Sequence, residues 1–258
     1  MRKSLKNAVF ILLLLVLSAS TALLAYLHFF ASDDKGLLSD KNLSGEWTAT
    51  VDMTEQAAFT ALIWLQDIEA VSVSLEDMES YMQDLTIQVN LTLEQTELQT
   101  DSAEGTFCCN ILPESYDACN QAAYEAFALA FQELLAERLH MAGYTGGTDR
   151  EALEALVTET FGMSTVSYLM SCVPALLKYL KDLQTQYDGS GTYEAAEGIL
   201  TRHFDAGGSV ATKTEGYIRE GSCLVLYEET DSASAGSVSD NYPMVYTLEQ
   251  TQSQNLEK

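Results

Sequence analysis

The chain has 258 residues, 47% of them hydrophobic, which is enough for one large domain with a sizeable core. Its 38 acidic and 13 basic residues leave a net charge of −25. Between Lys41 and Arg138 fall 18 Asp or Glu and no Lys or Arg, a surface that repels phosphates and anionic headgroups. That excludes nucleic-acid binding and a basic lipid-binding patch.

The chain opens with a stub, residues 1–6, carrying Arg2, Lys3 and Lys6. Residues 7–30 then run without Asp, Glu, Lys or Arg, and a spanning helix needs about 20 residues. Asp33 and Asp34 follow. This pattern predicts a transmembrane anchor with the basic end in the cytoplasm and the acidic bulk outside the cell membrane. A cleaved signal, cut near Ser20-Thr21-Ala22, is the alternative. Residues 31–42 read as a linker, 43–251 as one extracytoplasmic domain and 252–258 as a tail.

Within the domain, Trp47, Ala49, Val51 and Met53 alternate with polar residues, the period of a half-buried strand. Asp52-x-x-Glu55 resembles a capping box and introduces a helix with Phe59, Leu62, Ile63, Trp64, Leu65 and Ile68. The cleanest strand is LTIQVNLTLE: Leu85, Ile87, Val89, Leu91 and Leu93 face one way, and Thr86, Gln88, Asn90, Thr92 and Glu94 the other. Residues 105–112 predict a third strand. A helical insertion, 113–187, follows. Pro113 opens its first helix, which holds Phe127, Phe131, Leu134 and Leu135 and runs to about His140. GYTGGT makes a loop, Thr148-x-x-Glu151 a second capping box, and Leu153, Leu156 and Val157 a second helix. A third helix is expected over 164–187, bent at Pro174. The uncharged run 162–177 falls in it and is read as a buried helix, since 16 residues are too few to span a bilayer. Short strands then follow at 191–194, 199–204, 213–219, 222–228 and 242–251, with Glu220-Gly221 as a hairpin turn.

Gly45-Glu46-Trp47 opening the first strand, the later strand meander and the final stretch YPMVYTLEQT resemble lipocalin-like domains of the calycin type. The resemblance implies an antiparallel β-barrel or strongly curved sheet; the large helical insertion departs from that family's pattern and makes the expected domain α+β. It implies that Gly45 and Trp47 sit at the closed end, with Trp47 plugging the base. It also implies a cup for a small apolar ligand, or a cup filled by the inserted helices. In that family an Arg after the last strand stacks on the Trp. None stands there, and Arg202 or Arg219 would substitute.

Candidate chemistry is sparse. Cys108, Cys109, Cys119, Cys172 and Cys223 could form disulfides outside the cytoplasm, as Cys108 or Cys109 with Cys119 and Cys172 with Cys223. Neighbours on a strand face opposite sides, so only one of Cys108 and Cys109 can be core. His203, Asp205 and Ser209 are the residue types of a hydrolase triad, but no Gly-x-Ser-x-Gly elbow accompanies them. Glu76-Asp77 and Glu228-Glu229 lack the alternating ligands of a calcium loop. No pattern predicts a metal or a cofactor, and catalytic residues are not expected. The expected function is therefore a membrane-anchored, non-enzymatic binding module. Its partner would be a small apolar ligand or, through the acidic surface, a basic protein.

Overall fold

The computed structural model describes residues 42–66, 73–98, 102–173, 175–205, 212–228 and 242–249. The predicted anchor, most of the linker, the tail and Ser209 lie outside them. Among the described residues no helix is long and apolar enough to cross a membrane.

Eight antiparallel strands close into a barrel in simple sequence order, β1 Gly45–Asp52, β2 Thr86–Leu98, β3 Ser102–Ile111, β4 Gly189–Ala196, β5 Ile199–Phe204, β6 Thr212–Glu220, β7 Cys223–Glu228 and β8 Met244–Leu248. The alternation read from the sequence becomes an inside and an outside. Leu85, Ile87, Val89, Leu91 and Leu93 are buried, whereas Thr86, Gln88 and Glu94 are exposed. β3 buries Ala103, Phe107, Cys109 and Ile111 in the same way.

Because the strands meander, their connections alternate between two ends of the barrel. One end has tight turns. Glu197 and Gly198 both take left-handed backbone, at φ 53° and 83°, as a two-residue hairpin requires, and Gly221 does so at 58°. The other end receives every connection that contains helix. α1 Thr54–Gln66 and α2 Leu75–Tyr81 join β1 to β2. α3 Pro113–Met141, α4 Arg150–Phe161, α5 Thr165–Cys172 and α6 Leu180–Tyr187 join β3 to β4. The chain is therefore α+β, with a barrel and helices sharing one apolar core.

Several local expectations need correction. The helix over 164–187 is two helices, because Val173, which precedes Pro174, is extended at φ −104°, ψ 113°. A residue before proline is pushed out of the helical region. In α1 the packed face is Ala57, Ala58, Ala61, Leu62 and Leu65, while Phe59 and Ile63 point to solvent. Small residues let α1 approach its neighbours closely, and Trp64 meets Phe127 edge to face at 5.6 Å. Asp52 accepts from the Thr54 amide at 2.8 Å, two residues on, rather than forming a capping box with Glu55. The cap of α4 is Asp149, which accepts from the Ala152 amide at 3.1 Å, one residue beyond the expected Thr148. α2 was not expected, and Ser74 and Asp77 cap it reciprocally.

A buried amide ties the insertion together. Gln132 on α3 donates through Nε2 to Glu154 Oε2 at 2.8 Å and to Thr165 Oγ1 at 3.0 Å. Thr165 donates its amide and hydroxyl to the same carboxylate at 3.0 and 2.6 Å. Three helices thus meet at one polar knot. Gln132→Ala should destabilise the domain by about 1–3 kcal/mol, because the fully buried Thr165 loses a donor it cannot replace and the half-buried Glu154 loses one of its partners. Chemical denaturation followed by far-ultraviolet circular dichroism measures it.

Candidate functional site

The interior of the barrel is the site to examine, and its base comes first. Trp47 is fully buried and its Nε1 donates to the Leu43 carbonyl at 2.9 Å. The Arg219 guanidinium lies over the indole, 5.2 Å from Cζ to the ring centroid. Of the two candidates it is therefore Arg219, on β6, that stacks on Trp47. Gly45 has φ 150°, and a Cβ there would meet Leu248 Cδ1 at 2.4 Å, so a larger residue would push the last strand away from the plug.

Above the base lies a polar centre the sequence did not disclose. Arg202 alternates with Leu200 and Phe204 on β5, so the barrel turns it inward. Its Nε donates to Glu215 Oε2 at 2.8 Å, with Nη2 at 2.5 Å from the same oxygen. Lys213 Nζ stands 3.3 Å from Oε1, and Tyr242 donates its hydroxyl to that oxygen in a very short bond. Glu215 is 1% exposed and Arg202 5%. The rings of Phe107 and Phe204 flank the Arg202 guanidinium at 5.4 and 5.7 Å.

The electrostatics follow from this packing. Burial alone would raise the Glu215 carboxyl, but Arg202, Lys213 and the Tyr242 hydroxyl together hold it below its ordinary value. Burial, with Glu215 beside it, drives the Tyr242 hydroxyl far up. Burial lifts the Cys109 thiol to about 11, which leaves it protonated and unreactive. On β4, opposite Arg202, burial and then Tyr217 push Tyr193 to about 12. The Tyr193 hydroxyl is buried and has no hydrogen-bond partner, unlike Glu215, whose two oxygens are fully engaged.

The residues singled out beforehand are dispersed. His203 sits between the inward Arg202 and Phe204 and faces out, its Nδ1 3.2 Å from Thr212 Oγ1. Asp205 accepts from the Ser190 hydroxyl at 3.1 Å. The described part of the triad set is thus committed to other partners. The five cysteines stand as free thiols in this structure. Cys109 is enclosed in the barrel and Cys119 in the base of α3, while Cys108 and Cys172 are exposed and Cys223 lies between these extremes.

Clefts open on the helical side: one of about 280 Å³ lies between α2 and α3, and two are larger. One, of about 480 Å³, runs between the end of β1, α1 and α6, lined by Val51, Met53, Phe59, Lys178, Leu183 and Tyr187. The other is wider, about 960 Å³, and gathers Glu125, Glu151, Glu154 and Glu159 around Val166. Comparison with known proteins finds no family model, no curated protein and no solved structure that matches the chain.

The polar centre makes a test of its own. Glu215→Ala should destabilise the domain by about 3–5 kcal/mol by stranding Arg202, whereas Arg202→Met combined with Glu215→Leu should lose much less. The Glu215 carboxyl is held below 4.5, so the bridge's stabilisation is complete above that pH and is lost as pH falls through the lower folded-state value. Urea midpoints measured between pH 6 and about pH 3 should fall less steeply for the double variant than for the native chain.

Proposed function

We propose that this chain is a non-enzymatic, lipocalin-like binding module, and that its barrel takes up a small and mainly apolar molecule. The single observation that carries the reading is the closed barrel with one end plugged by Trp47 under Arg219. That geometry leaves only the helical end as an entrance. Small inward residues, Ala49, Ala103, Gly105 and Ala195, share the wall with bulky ones. The cleft between α1 and α6, which Tyr187 lines, is the candidate route. Uptake of an apolar molecule into such a chamber is driven by the surface it removes from water.

The proposal extends to location. Residues 7–30 anchor the chain in the cell membrane, and the acidic domain stands outside the cytoplasm. The full chain, purified in mild detergent, should carry a small molecule of constant mass in native mass spectrometry, released by organic extraction. Repeated absence of any adduct, together with failure to bind an added apolar probe, would defeat the reading. Protease added outside intact cells should remove the domain, and alkaline carbonate should leave the remnant in the membrane.

The wide cleft favours a second reading, a docking surface for a basic partner beside the four glutamates. Association through it would weaken as salt rises.

A further inference from the structure

The lumen's unused hydrogen-bonding capacity points to the chemistry of its occupant. At inward positions of the described strands the cations are Arg202, Lys213 and Arg219. The first two are committed to Glu215, and the third lies on Trp47. Glu215 itself receives Arg202 on one oxygen and Lys213 and Tyr242 on the other. An anionic ligand would have to break that cluster before it met a charge, at the cost of stranding a buried carboxylate.

Tyr193 is different. It is 1% exposed, stands opposite Arg202 on β5 and opposite Gly105 on β3, and faces the lumen. A Cβ at Gly105 would lie 2.1 Å from the Glu94 carbonyl oxygen and 2.8 Å from Tyr193 Cε1, so the backbone of β2 and the Tyr193 ring both close on this position. The buried ring ends in a hydroxyl with no partner. A buried donor left unmade is costly, and native cores seldom tolerate one without a reason. A phenol of raised pKa remains an O–H donor throughout the physiological range.

We propose that the Tyr193 hydroxyl is the polar recognition point of the lumen, and that the occupant is an uncharged apolar molecule presenting an acceptor oxygen, such as a carbonyl, to it. This rests on the reading of the barrel as a binding chamber and adds the ligand's class. Hydrogen bonding at one fixed donor would set the depth and orientation of the molecule, while the apolar wall supplies the affinity.

Pyrene fluorescence with the full-length chain in detergent gives the test, with 2-dodecanone, dodecane and laurate as competitors. In the native chain 2-dodecanone should displace pyrene roughly tenfold better than dodecane, the worth of about one buried hydrogen bond. Laurate should do no better than dodecane. In Tyr193→Phe the ketone's advantage should vanish while pyrene and dodecane bind as before. The ligand-free melting temperature should be unchanged or higher, since no protein partner is lost. Equal ketone and hydrocarbon affinities in the native chain, an advantage that survives in Tyr193→Phe, tightest binding by laurate, or a lower melting temperature of the variant would each overturn the inference. If pyrene itself does not bind, the chamber reading falls and takes this inference with it. If pyrene binds without ketone preference, only the inference falls.

Discussion

Three residue pairs close the barrel. Trp47, Thr48 and Ala49 on β1 stand opposite Leu248, Thr247 and Tyr246 on β8. The seam extends by one bond from the Glu249 amide to the Glu46 carbonyl at 2.8 Å, and by the Thr48 hydroxyl, 2.6 Å from Glu249 Oε1 and 3.0 Å from Asn90 Oδ1. Without this seam β1 and β8 would be open edges, with unpaired amides and carbonyls. With it, the inward row is shielded on all sides, and an inside exists for the rest of the structure to use.

That shielding explains how an acidic chain tolerates charge at its centre. An ion pair taken out of water repays its desolvation only when every lone pair and proton is met. Arg202 and Glu215 meet that condition with help from Lys213 and Tyr242. The cluster also joins three strands' worth of chain: β5 through Arg202, β6 through Lys213 and Glu215, and the approach to β8 through Tyr242. Its contribution is to fix how these segments sit rather than to add much net stability.

Legibility in the sequence followed periodicity. The strand holding Leu85 to Leu93 is plain because one face is apolar and the other wet. Gly45-Glu46-Trp47 marked the base, and the stacking cation was narrowed to two arginines. α2 was missed although Ser74 and Asp77 carried its capping signal, because seven residues are too few to show a helical period. The break between α5 and α6 is hidden in the sequence because the uncharged run continues to Leu177, and Val173, Leu176 and Leu177 stay buried although the chain has left the helix. The polar centre was illegible for another reason. Arg202, Glu215 and Tyr242 are far apart in sequence and meet only when strand register aligns them. The one local hint was an Arg standing in the apolar row between Leu200 and Phe204.

α3 has a consequence of scale. Its 29 residues reach about 43 Å, while an eight-residue strand covers only about 27 Å. Its fully buried residues end at Gln132, and over the last two and a half turns the contacts thin to half-buried residues such as Leu134, Leu135 and Leu139. The far end of α3 and the GYTGGT turn beyond it therefore form an overhanging arm whose length and composition can drift or accept added segments without disturbing the barrel.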